Sequence, residues 1–171
     1  MAVRHQLVEA PSDRVWAVLA DPGLYGRWVV GPTGSRPVDG DWPDEGARLE
    51  YTVRLGPLSG SGVTTVRSAD PGRLLELEAD SGRLGTARIA IELRPWGAHT
   101  LVIVDEHPLR GPGGALHSAP LDALLHVRNR RMLRRLAELV QERPDTGGHA
   151  DGHSGGHTGG RPAARAAGNG P

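Results

Sequence analysis

The 171-residue chain contains no cysteine, no lysine and no phenylalanine. Without cysteine it can form no disulfide, hold no thiolate nucleophile and offer no cysteine ligand to a metal. Aromatic residues make up only 4% of the chain, so an aliphatic core is required and each of the four Trp and two Tyr is worth placing individually. No apolar run approaches the roughly 18 residues that mark a membrane-spanning helix. The opening "MAVRHQLVEAPSD" has no apolar stretch of the secretory-leader kind. A soluble cytoplasmic protein without stable membrane insertion is the expectation. Net charge is missing too: 20 basic residues, all Arg, stand against 20 acidic ones. That balance removes any whole-chain electrostatic case for nucleic acid or an anionic bilayer.

Several catalytic patterns are absent as well. There is no G-x-S-x-G, and "GPLSGSG" lacks the Lys and following helix of a phosphate loop. "GPGGA" at 111–115 reads as a flexible lead-in to the last helix. Before residue 144 the histidines are His5, His99, His107, His117 and His126, with no H-E-x-x-H and no close pair. Neither a metal site nor a cofactor is expected from them.

What is present has a clear order. From about residue 144 the chain becomes "PDTGGHADGHSGGHTGGRPAARAAGNGP", too rich in Gly and too poor in apolar residues to offset ordering entropy. This predicts a folded domain over 1–143 and a disordered Gly/His-rich tail over 144–171. The tail's His149, His153 and His157 recur every fourth residue, but the intervening glycines oppose the helix that would align them; low complexity, or adventitious Ni or Zn binding, are the readings left. Ahead of the tail, "VRHQLVEAP" alternates as a strand, and "SDRVWAVLADP" carries helical spacing with Ser12 placed as N-cap. "GLYGRWVVGPTG" continues as a broken helical turn. A meander of strands follows in "ARLEYTVRL", "GSGVTTVRSAD", "RLLELEAD", "GTARIAIELRP" and "HTLVIVDEH", with an extra one in "SRPVDGDW". Ala87, Ile89, Ile91 and Leu93 alternate with Arg88, Ala90, Glu92 and Arg94, which predicts one dry face and one wet face. The long helix predicted from about residue 116 or 120 to Arg143 is the remaining cover for the dry face.

That helix contains "LDALLHVRNRRMLRRLAEL", with five arginines inside eight positions. At about 100° per residue, Leu121, Leu124, Leu125, Met132, Leu133, Leu136, Leu139 and Val140 share one half of the cylinder. Arg130, Arg131 and Arg134 point away from it and Arg135 lies at its margin. A solvated face is the main reading of the run, with an anionic protein partner, or nucleic acid and lipid headgroups, as the alternatives. Arg128 and Asn129 break the pattern by projecting into the apolar half. They are paired with a strand acid, Glu106 or Asp105; or they face a wet ligand-binding cavity; or Arg128 snorkels to solvent from a boundary position. The "DEHP" at 105–108 either gathers acid and base capacity at a cavity floor or simply ends a strand at Pro108. Trp16 reads as core, Trp42 and Trp96 as loop or rim.

The order of strand, two short helices, antiparallel meander and long last helix resembles the SRPBCC superfamily. The segment "VW..L.DP..Y..W", here Val15, Trp16, Leu19, Asp21, Pro22, Tyr25 and Trp28, carries the likeness together with "LLHVRNRRMLRRLAEL". Over about residues 2–142 the chain is similar to the START and polyketide cyclase-like helix-grip proteins, in particular a bacterial polyketide cyclase/dehydrase-like subgroup. The resemblance implies an α+β helix-grip fold: a curved antiparallel sheet of six or seven strands around the C-terminal helix, enclosing a cavity. With it, the candidate ligand-binding residues are Trp28, Tyr51, Glu106, Arg128, Asn129 and Met132; no catalytic residue is carried over. Binding of a small hydrophobic or amphipathic molecule is the first functional expectation. The second is a cyclase or aromatase acting by acid and base catalysis in the same cavity, with Glu106 and His107 as proton carriers. A partner-binding module using the arginine face, or a homodimer, completes the set.

Overall fold

The computed structural model describes residues 2–55, 58–82, 85–110 and 119–143. The expected tail over 144–171 and the "GPGGA" lead-in lie outside the described residues. In chain order the elements are β1 (Ala2–Val8), α1 (Ser12–Leu19), α2 (Tyr25–Trp28), β2 (Pro32–Asp39) and β3 (Arg48–Leu55), then β4 (Leu58–Asp70), β5 (Leu74–Asp80), β6 (Thr86–Trp96), β7 (His99–Arg110) and a last helix, α3 (Ala119–Glu142). The strands form one seven-stranded antiparallel sheet in the order β1-β7-β6-β5-β4-β3-β2. β2 to β7 is therefore a continuous meander, and β1 closes its far edge by pairing with β7.

Alternation decides which side of each strand is dry. Leu75 and Leu77 on β5, Ile89, Ile91 and Leu93 on β6, and Val102 and Val104 on β7 are buried on the inner face. Their neighbours Glu76, Glu78, Arg88 and Glu92 turn outward, and the outer face is laced across strands by Arg67–Glu78 at 3.0 Å, by Arg36–Glu50 and by Arg88–Glu76. Such exposed pairs add little stability but reward the correct register. The β6–β7 hairpin turns on Gly97–Ala98 between the paired Trp96 and His99, with Gly97 at φ +62°, as a two-residue loop of this type requires.

Two boundaries differ from the sequence expectation. Ser12 is the first residue of α1 and not its cap; the extended Pro11 holds that place, and its carbonyl accepts from the amides of Arg14 at 3.1 Å and Val15 at 3.3 Å. Proline caps here through backbone shape, since it has no N–H to satisfy. β7 also runs through Pro108 to Arg110. Pairing with β1 ends at Ala2–Glu106 and pairing with β6 shifts register between Thr86 and Ala87, so Pro108 stands at an irregular end where a missing donor is tolerated.

α3 packs along β1, β7, α1 and α2. Met132, Leu133, Leu136, Leu139 and Val140 are buried on its inner side, while Arg130, Arg131, Arg134 and Arg135 are exposed. The side chains of Leu121, Leu124 and Leu125 lie outside the described residues. At its C-terminal end two arginines lock the helix to α1: Arg14 donates to the carbonyl of Val140 at 2.9 Å, and Arg143 donates to that of Ala17 at 2.7 Å and to Asp21 at 3.0 Å. Helix-terminal carbonyls that lack partners within their own helices are thereby satisfied.

Candidate functional site

The six candidate residues come from four elements. Trp28 stands on α2, Tyr51 on β3, Glu106 on β7, and Arg128, Asn129 and Met132 on α3. Alternation places Glu106 on the inner face of β7 beyond Val102 and Val104, where it is only 3% exposed. Arg128 reaches it from the helix and donates Nη1 to Oε1, while its Nε donates to the carbonyl of Val30 at 3.1 Å, just after α2. One guanidinium thus ties α3, β7 and the end of α2 together. Of the readings open for Arg128, the structure shows pairing with Glu106 and not Asp105.

Asn129 behaves differently. It lies at the centre of the buried helix face, is 0% exposed, and has no hydrogen-bond partner for either side-chain atom among the described residues. Glu106 Oε2 and Trp28 Nε1 are likewise buried and unpartnered there. Leaving such groups unsatisfied costs on the order of 1–3 kcal/mol each. Of the six unpartnered buried side-chain atoms among the described residues, four belong to these three residues. Met132, one turn beyond Arg128, is buried and apolar.

Two tyrosines face this polar end. Tyr25, on α2, packs its ring edge-on against Trp28 at 5.3 Å and Trp42 at 5.9 Å, and lies 6.2 Å from Tyr51. Its hydroxyl shares a 2.7 Å hydrogen bond with the buried Thr64 of β4. Tyr51 bonds Ser81 at 2.6 Å, and its ring lies over Gly62, where a Cβ would come within 2.4 Å of it. Burial raises both phenols above their ordinary pKa; the hydrogen bonds to Thr64 and Ser81, and the charge of Arg128, oppose that rise without cancelling it. Both are neutral near neutral pH.

His107 does not join the site. Strand alternation sends Asp105 and His107 to the outer face, where His107 Nε2 lies 3.0 Å from Asp105 Oδ2, while Glu106 points inward. The expectation that Glu106 and His107 share one cavity as proton carriers is therefore overturned. Trp96 is 65% exposed at its hairpin, whereas Trp42 is half-buried and donates to the carbonyl of Leu19 at 3.1 Å. Thr64 is not singled out by sequence reasoning, and Tyr25 enters it only as a residue of the family-like segment and not as a site residue. Tyr25 precedes Trp28 by three positions, a helical spacing that put both on one face, and Thr64 alternates with Gly62 and Val66. Among the described residues, no group of three His, Asp or Glu side chains is arranged to hold a metal, and no helix is long and apolar enough to cross a membrane.

A curved antiparallel sheet gripping a C-terminal helix, with buried polar groups between them, defines a protein of the helix-grip, SRPBCC type. The chain belongs to the polyketide cyclase / dehydrase and lipid transport family, whose model matches residues 2–141. Among solved structures it is similar to a protein of Chromobacterium violaceum, at 18% identity and TM-score 0.63, covering 82% of this chain and 97% of that one. It is also similar to Ara h 8.0201, at 10% identity and TM-score 0.67, with 82% and 97% covered. A third match, DynU16 of the dynemicin biosynthetic locus, has 20% identity and TM-score 0.62 over 82% of this chain and 47% of that one. At these identities the likeness establishes the fold. No curated protein matches by sequence.

Proposed function

We propose that the protein binds a small hydrophobic or amphipathic molecule between the inner face of the sheet and α3, in the cytoplasm. The observation that carries this is Asn129: a carboxamide with both polar atoms unpartnered among the described residues, set in the middle of an apolar helix face. A packed helix gains nothing from such a group, whereas a ligand that meets it recovers the hydrogen bonds. Family membership supports the same reading. Native mass spectrometry of the protein isolated from its own host, with displacement of an environment-sensitive dye by a panel of hydrophobic compounds, tests it. A co-purifying molecule, or competition lost in Asn129→Leu, is the expected result. The bare chain mass together with no displacement by any compound rejects it.

A second reading, catalysis in the same interior, is favoured by one feature: Glu106 keeps one carboxylate oxygen without a partner while Arg128 holds the other. That oxygen is positioned to accept a proton from a bound carbonyl compound, as cyclisation or dehydration would need. The similarity to a protein of the dynemicin locus points the same way. Cyclised product formed from a linear poly-β-ketone, lost in Glu106→Gln while binding persists, would support this reading. Equal turnover by that variant would remove it.

A further inference from the structure

The charge at the polar end of the interior is already balanced. Arg128 spends Nη1 on Glu106 and Nε on the carbonyl of Val30, so the one cation of this group arrives neutralised. Of the six buried side-chain atoms without partners among the described residues, the four on Trp28, Glu106 and Asn129 ask for specific complements, the other two being Asp105 Oδ1 and His126 Nδ1. Glu106 Oε2 accepts only, Trp28 Nε1 donates only, and Asn129 needs one donor and one acceptor. The phenols of Tyr25 and Tyr51 are engaged by Thr64 and Ser81.

Resting on the binding reading above, we infer that the ligand is electrically neutral and presents both a hydrogen-bond donor and an acceptor on an apolar frame, as a hydroxyketone or carboxamide does, and that carboxylates are excluded. A carboxylate would meet Glu106 Oε2 acceptor to acceptor and charge to like charge, while the charge of Arg128 is already balanced by Glu106. A hydrocarbon of the same shape would fill the space and leave Asn129, Trp28 and Oε2 unsatisfied. Selection therefore acts on both sides, against charge and against the absence of polarity.

Three probes of one frame test this with the full chain near neutral pH: 6-hydroxy-2-naphthamide, 6-hydroxy-2-naphthoate and 2-ethylnaphthalene, measured by calorimetry. The amide is expected to bind at least about tenfold more tightly than either of the others, the scale set by burying one unpaired polar or charged group. Glu106→Gln retains the shape and the contact to Arg128 but unbalances the charge; it should bring the carboxylate level with the amide or ahead of it. A carboxylate that matches the amide in the unaltered protein overturns the inference, as does a ratio that Glu106→Gln leaves unmoved. Should that variant fail to unfold cooperatively, the ratio in the unaltered protein decides alone. Equal binding of amide and hydrocarbon overturns the inference and leaves interior binding standing; no binding by any of the three also overturns the inference, and interior binding is then decided by the mass and displacement measurements above.

Discussion

The two halves of α3 meet the rest of the protein in opposite ways. From Met132 to Val140 the inner side is wholly aliphatic and the end is clamped to α1 through Arg14 and Arg143. At Arg128 and Asn129, one turn earlier, the same side presents a paired guanidinium and an amide without a partner among the described residues. The first half is built as a core is built, with complementary shapes and satisfied carbonyls. Polar atoms that the fold does not use distinguish the second. On the proposed reading the difference separates stability from function along a single helix: the C-terminal half anchors, and Arg128 and Asn129 hold groups for a ligand to meet.

Six variants and a titration can break or sharpen that contrast. The largest loss is expected in the anchoring half. Leu136→Ala removes a side chain that is 1% exposed and should cost about 3 kcal/mol of stability, read from denaturant unfolding, with little change in ligand affinity. In the polar half, Glu106→Ala strands the guanidinium of Arg128; because that side chain is 26% exposed and can swing toward water, about 2 kcal/mol is expected in place of the larger cost of a fully buried orphan. The double variant Glu106→Leu with Arg128→Met should recover most of it. If the double variant is no more stable than Glu106→Ala, pairing is not what the two residues contribute.

The two phenols supply a pH test of about 1.4 kcal/mol per pH unit for each proton retained by the fold. Burial raises both above the ordinary value of 10.0. An acid whose folded pKa is raised stabilises the fold fully below its unfolded value, and that stability drains away as pH climbs from there toward the folded value. Melting temperature should therefore hold up to about pH 9 and fall steeply above 10. Tyr51→Phe, which keeps the ring over Gly62 but removes the proton, should flatten part of the fall. Asn129→Leu should do the reverse of an ordinary core change, raising stability by about 1 kcal/mol through loss of an unsatisfied amide while abolishing selective binding. A destabilised Asn129→Leu with binding intact would make Asn129 structural.

Much of the fold was legible because its signals are local. Strand alternation separated Leu75 and Leu77 from Glu76 and Glu78, and a fixed angle per residue put Arg128 and Asn129 on the wrong side of the helix for their chemistry. The partner of Arg128 was narrowed to two acids, and only strand phase chose Glu106 over Asp105. The same phase separates Glu106 from His107, and "DEHP" carries that alternation in its sequence. Tyr25 and Thr64 were harder: their contact joins residues 39 positions apart, and nothing local says that α2 leans over β4. The caps of α1 and the run of β7 past Pro108 depended on backbone geometry and neighbouring register, which composition does not report.

The arginine run marks the smallest expected effect and the clearest outer boundary of the comparison. Arg130, Arg131 and Arg134 are exposed, and no ion pair is formed by them among the described residues. Reversing all three to Glu should move stability by no more than about 0.5 kcal/mol, because solvated charges on a helix surface are screened and mobile. Affinity for a neutral interior ligand should stay the same, and this is the informative part. Ionic strength offers an independent check, since a neutral ligand meeting Asn129 has no net charge for salt to screen. If the triple reversal weakened binding, and if added salt did so in the unaltered protein, the recognised molecule would carry negative charge and would be read from outside the helix, and the contrast between its two inner halves would no longer locate the function.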